Sequence, residues 1–237
     1  MAIPILKTKL YLPPDPGPQG GPHRTVARPR LLERLDEGLR PGNTLILISA
    51  PAGFGKTTLA STWIHRRGAD EASAPLRAAW LSLDRGANDP VRFLAYLAAA
   101  FLSADVELGH DVRAAAHSPQ PPDAELVLTA LLNDLAEYPN PLVLVLDDYH
   151  EITAQAVHDA LWFLLEHLPP HVHLLLATRV DPPWPLARLR ARQAMVELRV
   201  PDLRFTLDEA AAYVNDVMGL GLSAEDLAAL DARTEGW

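Results

Sequence analysis

Ala50-Pro51-Ala52-Gly53-Phe54-Gly55-Lys56-Thr57-Thr58 stands one residue, Ser49, after the apolar run Leu45-Ile46-Leu47-Ile48. The run reads as a strand, the glycine-bearing stretch as a loop, and Lys56-Thr57-Thr58 as the first turn of a helix. That order is suited to holding a chain of phosphates. Glycines let backbone N–H groups turn inward and approach an anion closely, and the helix aims the positive end of its dipole at the same place. Pro51, Ala52, Gly53, Phe54 and Gly55 are therefore the candidate cradle. Lys56 would put its charge on the β- and γ-phosphates, Thr57 its hydroxyl on Mg2+, and Thr58 would sit near the α-phosphate. The pattern G-x-x-x-x-G-K-[ST] has Ala50 at its first glycine, a position that alanine fills if φ stays negative. The implied ligand is a nucleoside triphosphate with magnesium. A chance glycine-rich turn is the competing reading, and a partner motif weighs against it.

That partner is Leu142-Val143-Leu144-Val145-Leu146, which runs into Asp147-Asp148. An unbroken apolar run marks a strand buried on both faces, as in a parallel sheet. Carboxylates at its carboxyl end fall in the crevice where such sheets bind ligands. Asp147 is the expected partner of Mg2+, the Walker B role, and Asp148 the group that orients or deprotonates an attacking water. The plainer alternative is that one of them caps the next turn.

The 237 residues suffice for one α/β domain with a small appendage. A net charge of −9 without a basic tail argues against general nucleic-acid binding by this segment. Having no cysteine excludes disulfides and cysteine-based zinc sites. No apolar stretch reaches membrane length and the N-terminus lacks the apolar region of a signal peptide, so a cytoplasmic location is expected. Lysine occurs only at 7, 9 and 56. A Ras-type GTPase would need an Asn-Lys-x-Asp motif after the second strand motif, and no lysine follows Lys56.

Residues 1–24 are rich in proline and glycine and read as extended or mobile. Residues 25–200 carry the alternating pattern, and 201–237 begin a helical or lid region. Pro29 opens a helix with apolar residues at 31, 32, 35 and 39. Strands are expected at about 44–49, 78–84, 142–146, 171–177 and 195–198. Helices are expected at about 57–67, 90–102, from a loop near 117–122 to 137, 154–168, 206–218 and 223–233, with a short arginine-bearing helix before 195. This alternation predicts an α/β three-layer fold, a parallel sheet with helices on both faces. Thr178-Arg179 ends the fourth strand, where Arg179 would sense the γ-phosphate or simply be solvated. His171 and His173 share a strand face, but two ligands make a poor metal site. Arg188, Arg190 and Arg192 read as a solvated helix face more readily than as fingers to a neighbour's phosphate. His150 would pack against the loop.

The chain also resembles a known family, the MalT-like branch of LuxR-type transcriptional regulators, within the signal-transduction ATPases with numerous domains. The resemblance rests on Leu6–Leu10, Val26–Leu32, Ala50–Thr58, Trp80–Asp84, Leu144–His150, Ala177–Arg179, Leu203–Phe205 and Arg233–Trp237, in the family's order. It implies a P-loop NTPase fold with five strands in the order 5-1-4-3-2. It implies ATP or ADP as ligand, Arg28 beside the nucleotide, self-association promoted by ATP in the full-length protein, and slow hydrolysis that resets the switch. DNA binding would belong to a C-terminal helix-turn-helix outside these residues, which would make this chain an N-terminal portion. Ala87 stands where the family pattern has an acidic residue. Two other readings use the same loop. A small-molecule phosphotransferase would need a lid, for which 182–192 is the candidate. A binding module would hold ADP without turnover.

Overall fold

The computed structural model describes residues 4–15, 25–70, 76–117, 123–234 and 236. Residues 16–24 of the Pro/Gly-rich stretch, most of the loop near 117–122, Glu235 and Trp237 lie outside them.

The elements follow in chain order: α1 (Pro29–Glu37), β1 (Leu45–Ser49), α2 (Lys56–Ala69), β2 (Arg77–Ser82), α3 (Pro90–Ser103), α4 (His110–His117) and α5 (Ala124–Glu137). Then come β3 (Leu142–Asp147), α6 (Gln155–His167), β4 (Val172–Thr178), α7 (Leu186–Ala191), β5 (Met195–Leu198), α8 (Val200–Leu203), α9 (Leu207–Ala211) and α10 (Ala224–Thr234). The five strands form one sheet in the order β2-β3-β4-β1-β5, every pairing parallel, which is the order that the family resemblance implies.

The unbroken apolar runs have the predicted cause. Every residue of β1, β3 and β4 is buried, because helices cover both faces. Leu45, Leu47, Leu144 and Leu174 point to one face, beneath α3, α5 and α6, while Ile46, Ile48, Val143 and Leu175 point to the other, beneath α1 and α2. Both α1 and α3 begin with proline, whose missing N–H costs nothing in a first turn, and Asp89 accepts a bond from Arg92 N to cap α3.

The β2 edge is covered by the N-terminal segment. Ile5 and Leu10 pack with the α3 side of the core and Leu12 with the α2 side, with a 3-10 turn at Lys7–Leu10 between. Leu6 N donates to the Tyr96 hydroxyl at 3.0 Å, and Ser61 Oγ and His65 Nε2 donate to Pro13 O at 2.5 and 2.9 Å. An edge covered in this way does not offer its free N–H and C=O groups to another chain.

Two features depart from the sequence reading. Helix α4 lies where only a connection is expected. The single helix anticipated over 206–218 is α9 followed by a π-helical turn at Ala212–Val217, because Met218 N reaches back five residues to Tyr213 O at 3.0 Å. No helix among the described residues is long and apolar enough to cross a membrane.

Candidate functional site

At the carboxyl ends of β1 and β3 the two sequence motifs meet. The loop after β1 turns tightly: Gly53 and Gly55 have φ of 86° and 69°, a region that side-chain-bearing residues avoid. The turn aims the start of α2 into the crevice. Lys56, its first residue, is buried, and its ammonium donates to Ala50 O and Pro51 O at 2.8 and 2.9 Å. Burial lowers the Lys56 pKa, with Arg179's charge acting in the same direction and Asp148 and Asp147 opposing.

Thr57 Oγ1 lies 2.9 and 3.1 Å from the two carboxylate oxygens of Asp147. Residues 90 positions apart thus form one oxygen-rich corner, the hard donor set that suits Mg2+. Asp147 is only 4% exposed, and burial is the main cause that raises its pKa. Asp148 is half-exposed with φ at 55°, and its N–H donates to Asp147 Oδ1 at 3.0 Å. A non-glycine residue held there is uncommon, and such strain concentrates at functional sites.

His150 follows with both ring nitrogens buried and lacking a hydrogen-bond partner; the nearest carboxylates, of Asp148 and Glu151, lie at 3.8 and 3.6 Å. Burial and the charge of Arg179 depress its pKa. Arg179 is exposed at the end of β4, close enough to lower the pKa of both Lys56 and His150. Thr178 is fully buried, and its hydroxyl donates to Val180 O at 2.7 Å, which fixes the turn beneath Arg179.

Of the predicted residues, Lys56, Thr57, Asp147 and Asp148 converge, with Arg179 beside them. Pro51, Ala52, Gly53 and Gly55 are exposed around the crevice, Phe54 is half-buried against the α2 side of the core, and Thr58 is exposed on the first turn of α2. The Arg28 guanidinium bonds Glu209, Leu203 O and Arg204 O and lies over the Phe205 ring. These contacts run to the C-terminal helices.

Several groups escape a sequence reading. Asn88 fastens the 84–89 segment to the turn after β3, accepting from Thr153 N and Ala154 N at 2.6 and 2.8 Å and donating to Glu151 O at 2.8 Å. Its neighbour Ala87 is buried, so the position that lacks an acidic residue serves packing. Tyr149, His158 and Trp184 meet in the core behind Asp148. His171 and His173 each donate to a carbonyl, of Leu135 and Asn43, and no group of three or more His, Cys, Asp or Glu among the described residues could hold a metal. Arg188 and Arg190 pair with Glu166 and Glu197. Local sequence offers no signal for any of these partnerships, since each spans distant elements or depends on a turn.

Comparison with known proteins bears on the same residues. A family model described as AAA ATPase domain matches residues 22–177. An HTH-type transcriptional regulator MalT of Serratia proteamaculans is 36% identical over 215 residues, 90% of this chain and 22% of the relative. A serine/threonine-protein kinase PknK of Mycobacterium tuberculosis is 33% identical over 227 residues, 95% of this chain and 20% of the relative. The chain therefore spans about a fifth of the length of these curated relatives. Among solved structures, Cdc6p from Pyrobaculum aerophilum superposes with a TM-score of 0.52 at 17% identity, over 92% of this chain and 55% of the other, a likeness of fold.

Proposed function

This chain belongs to the AAA ATPase domain family, and on that premise we propose that it is the ATP-binding switch portion of a MalT-type transcriptional regulator, turning over ATP slowly. The observation that carries this reading is the Thr57 hydroxyl set on the Asp147 carboxylate at the first turn of α2, beside Lys56. A triphosphate laid along the loop would meet the N–H groups of residues 52–58 and the α2 dipole. Lys56 would then exchange the carbonyls of Ala50 and Pro51 for phosphate oxygens. Thr57 and Asp147 would hold Mg2+, whose charge neutralises the β- and γ-oxygens. Asp148 orients a water and takes its proton as the water oxygen bonds to the terminal phosphorus and the bond to the ADP oxygen breaks. Arg179 stabilises the charge on the phosphoryl group and so reports its presence.

A phosphotransferase reading is less well supported, because Trp184, Leu186 and Leu189 of the candidate lid 182–192 are buried in the core. Regulation of transcription, self-association in the full-length protein and a cytoplasmic location are carried over from the MalT likeness. DNA contact is not assigned to these residues, given their net charge of −9.

Titration of the protein with Mg·ATP and Mg·ADP by calorimetry tests the assignment. The parent chain is expected to bind both, and Lys56→Ala to weaken ATP by at least about 10-fold. Equal binding by parent and variant would remove the loop from the account. Release of phosphate from bound ATP over hours separates a slow ATPase from a module that only holds nucleotide.

A further inference from the structure

Asp148 and Arg179 leave the sheet on different strands, yet the proposed chemistry needs them fixed relative to one another. One buried cluster reaches the residue after Asp148 and the loop that carries Arg179. Tyr149, directly after Asp148, is 2% exposed, and its hydroxyl lies 2.6 Å from His158 Nδ1 on α6. Its ring meets the His158 ring edge-on and the Trp184 ring at a tilt, with centroids 5.5 Å away in each case. Trp184, five residues after Arg179, donates from its indole nitrogen to His158 O at 3.2 Å. The chain between is fixed at its start by the Thr178 hydroxyl on Val180 O and at its end by Trp184 N on Pro182 O at 2.7 Å.

We infer that Tyr149, His158 and Trp184 form a positioning brace that sets the left-handed Asp148 turn and the Arg179 loop in one mutual geometry for hydrolysis. The inference rests on the ATPase reading for its catalytic consequence. Three features argue for a brace and not ordinary filling. A tyrosine and a histidine are placed where two apolar residues would fill the space without desolvating polar groups. The φ of 55° at Asp148 needs a rigid neighbour to hold it, and Tyr149 is that neighbour. The third member, Trp184, sits in the loop that carries Arg179, so the cluster touches both arms. Positioning groups of this kind act on turnover more than on binding, because small displacements of a reacting group are costly in rate.

Tyr149→Phe removes one oxygen and keeps the ring. In the ligand-free protein, amide hydrogen exchange is expected to quicken in both 147–151 and 179–185 while β1 and β4 keep parental rates. A change confined to one segment, or to neither, would overturn the brace. In ATP turnover, Tyr149→Phe and His158→Ala are each expected to lose about 10- to 100-fold in kcat, with KM and the Kd for Mg·ATP changed by less than about twofold. His158→Asn, which returns a hydrogen-bonding group near Nδ1, should recover most of the rate, and the Tyr149→Phe/His158→Ala double variant should be no slower than His158→Ala alone. Parental kcat in Tyr149→Phe, or a loss seen only in binding, would refute the inference. If the parent chain bound no nucleotide, the ATPase reading would fail, and the exchange pattern would still decide whether the brace exists.

Discussion

Asp147 sits beneath Thr57 with its carboxylate largely removed from water, and burial is the main reason that its pKa stands above the ordinary 3.8. Asp148 adds repulsion, while the Thr57 hydroxyl, the Asp148 N–H and Lys56 oppose the shift only in part. A carboxyl whose folded pKa is raised binds its proton more tightly in the native state. Stability from this group is therefore present below the unfolded value and is lost as pH rises through the folded one. At neutral pH the ionised Asp147 burdens the ligand-free fold, and a bound cation would relieve it. Asp147→Asn removes the charge but keeps groups that can bond Thr57, whose hydroxyl donates or accepts. The variant is expected to melt higher than the parent without ligand at pH 7, by ~2–4 °C for a gain on the order of 1 kcal/mol, and to lose the extra melting temperature that Mg·ATP gives the parent. A scan of melting temperature with and without Mg·ATP measures both. A lower ligand-free midpoint in Asp147→Asn would show that the ionised carboxylate stabilises this corner. At this scale the sequence was informative because motif residues are named by chemistry: a lysine and a threonine after glycines, an aspartate ending an apolar run. The orphaned nitrogens of His150 and the contacts of Arg28 were not legible, since they depend on what the fold folds over those side chains.

Among the elements, strands were the most legible, because burial on both faces leaves an unmistakable apolar run in β1, β3 and β4. Helix α4 escaped because its eight residues hold a single large apolar side chain, Val112, and packing supplies what local preference does not. The four-residue β5 is a harder case, a sheet edge whose place beside β1 could not be read from alternation alone. Its side chains explain how it stays. Val196 and Leu198 are buried, while Glu197 between them takes Arg190 Nε at 2.6 Å from α7 and Arg199 Nη2 at 2.5 Å. Arg190, and then Arg199, hold the Glu197 carboxyl well below its ordinary 4.5, down to about 2. Because the folded pKa is depressed, this contribution is present above the unfolded value and is lost as pH falls through the folded one. Glu197→Gln is thus expected to be less stable than the parent near neutral pH by on the order of 1 kcal/mol, since the arginines are partly solvated. The difference should close between pH 4.5 and about 2, as urea denaturation across that range would record. A difference that does not change with pH would mean that Glu197 acts through packing and not through its charge.

On the scale of the whole molecule, the five-stranded sheet and the C-terminal helices are held together by unlike means. The sheet and its covering helices share two apolar cores, one on each face. Val214 and Leu227 are buried too, but they belong to neither core. The joint between the two parts is polar. Arg28 and Arg30, at the start of α1, both bond the Glu209 carboxylate, at 3.2 Å and at 2.9 Å, and both donate to carbonyls of residues 202–204. Glu209 also closes a capping box with Thr206, so one carboxylate fastens α9 to its own first turn and to α1. The side chains of Arg28 and Glu209 are 13% and 9% exposed, which shields the pair from salt. Removing one partner of a buried pair leaves the other charged and desolvated, at a cost of about 3–5 kcal/mol; the more exposed Arg30 should keep this case near the lower end. Because no described residue of 207–234 belongs to either apolar core, that loss should fall on the joint and not on the sheet. Hydrogen exchange of Glu209→Ala is therefore expected to show residues 207–234 opening about two orders of magnitude faster, while β1, β3 and β4 exchange as in the parent. Thr206→Ala, which removes only the cap, should have the smaller effect of about 1 kcal/mol. Sheet amides that quicken in step with 207–234 would make the two parts a single cooperative unit. Unchanged exchange in 207–234 would mean that the apolar contacts of Leu203 and Phe205 suffice, and the polar joint would then be incidental.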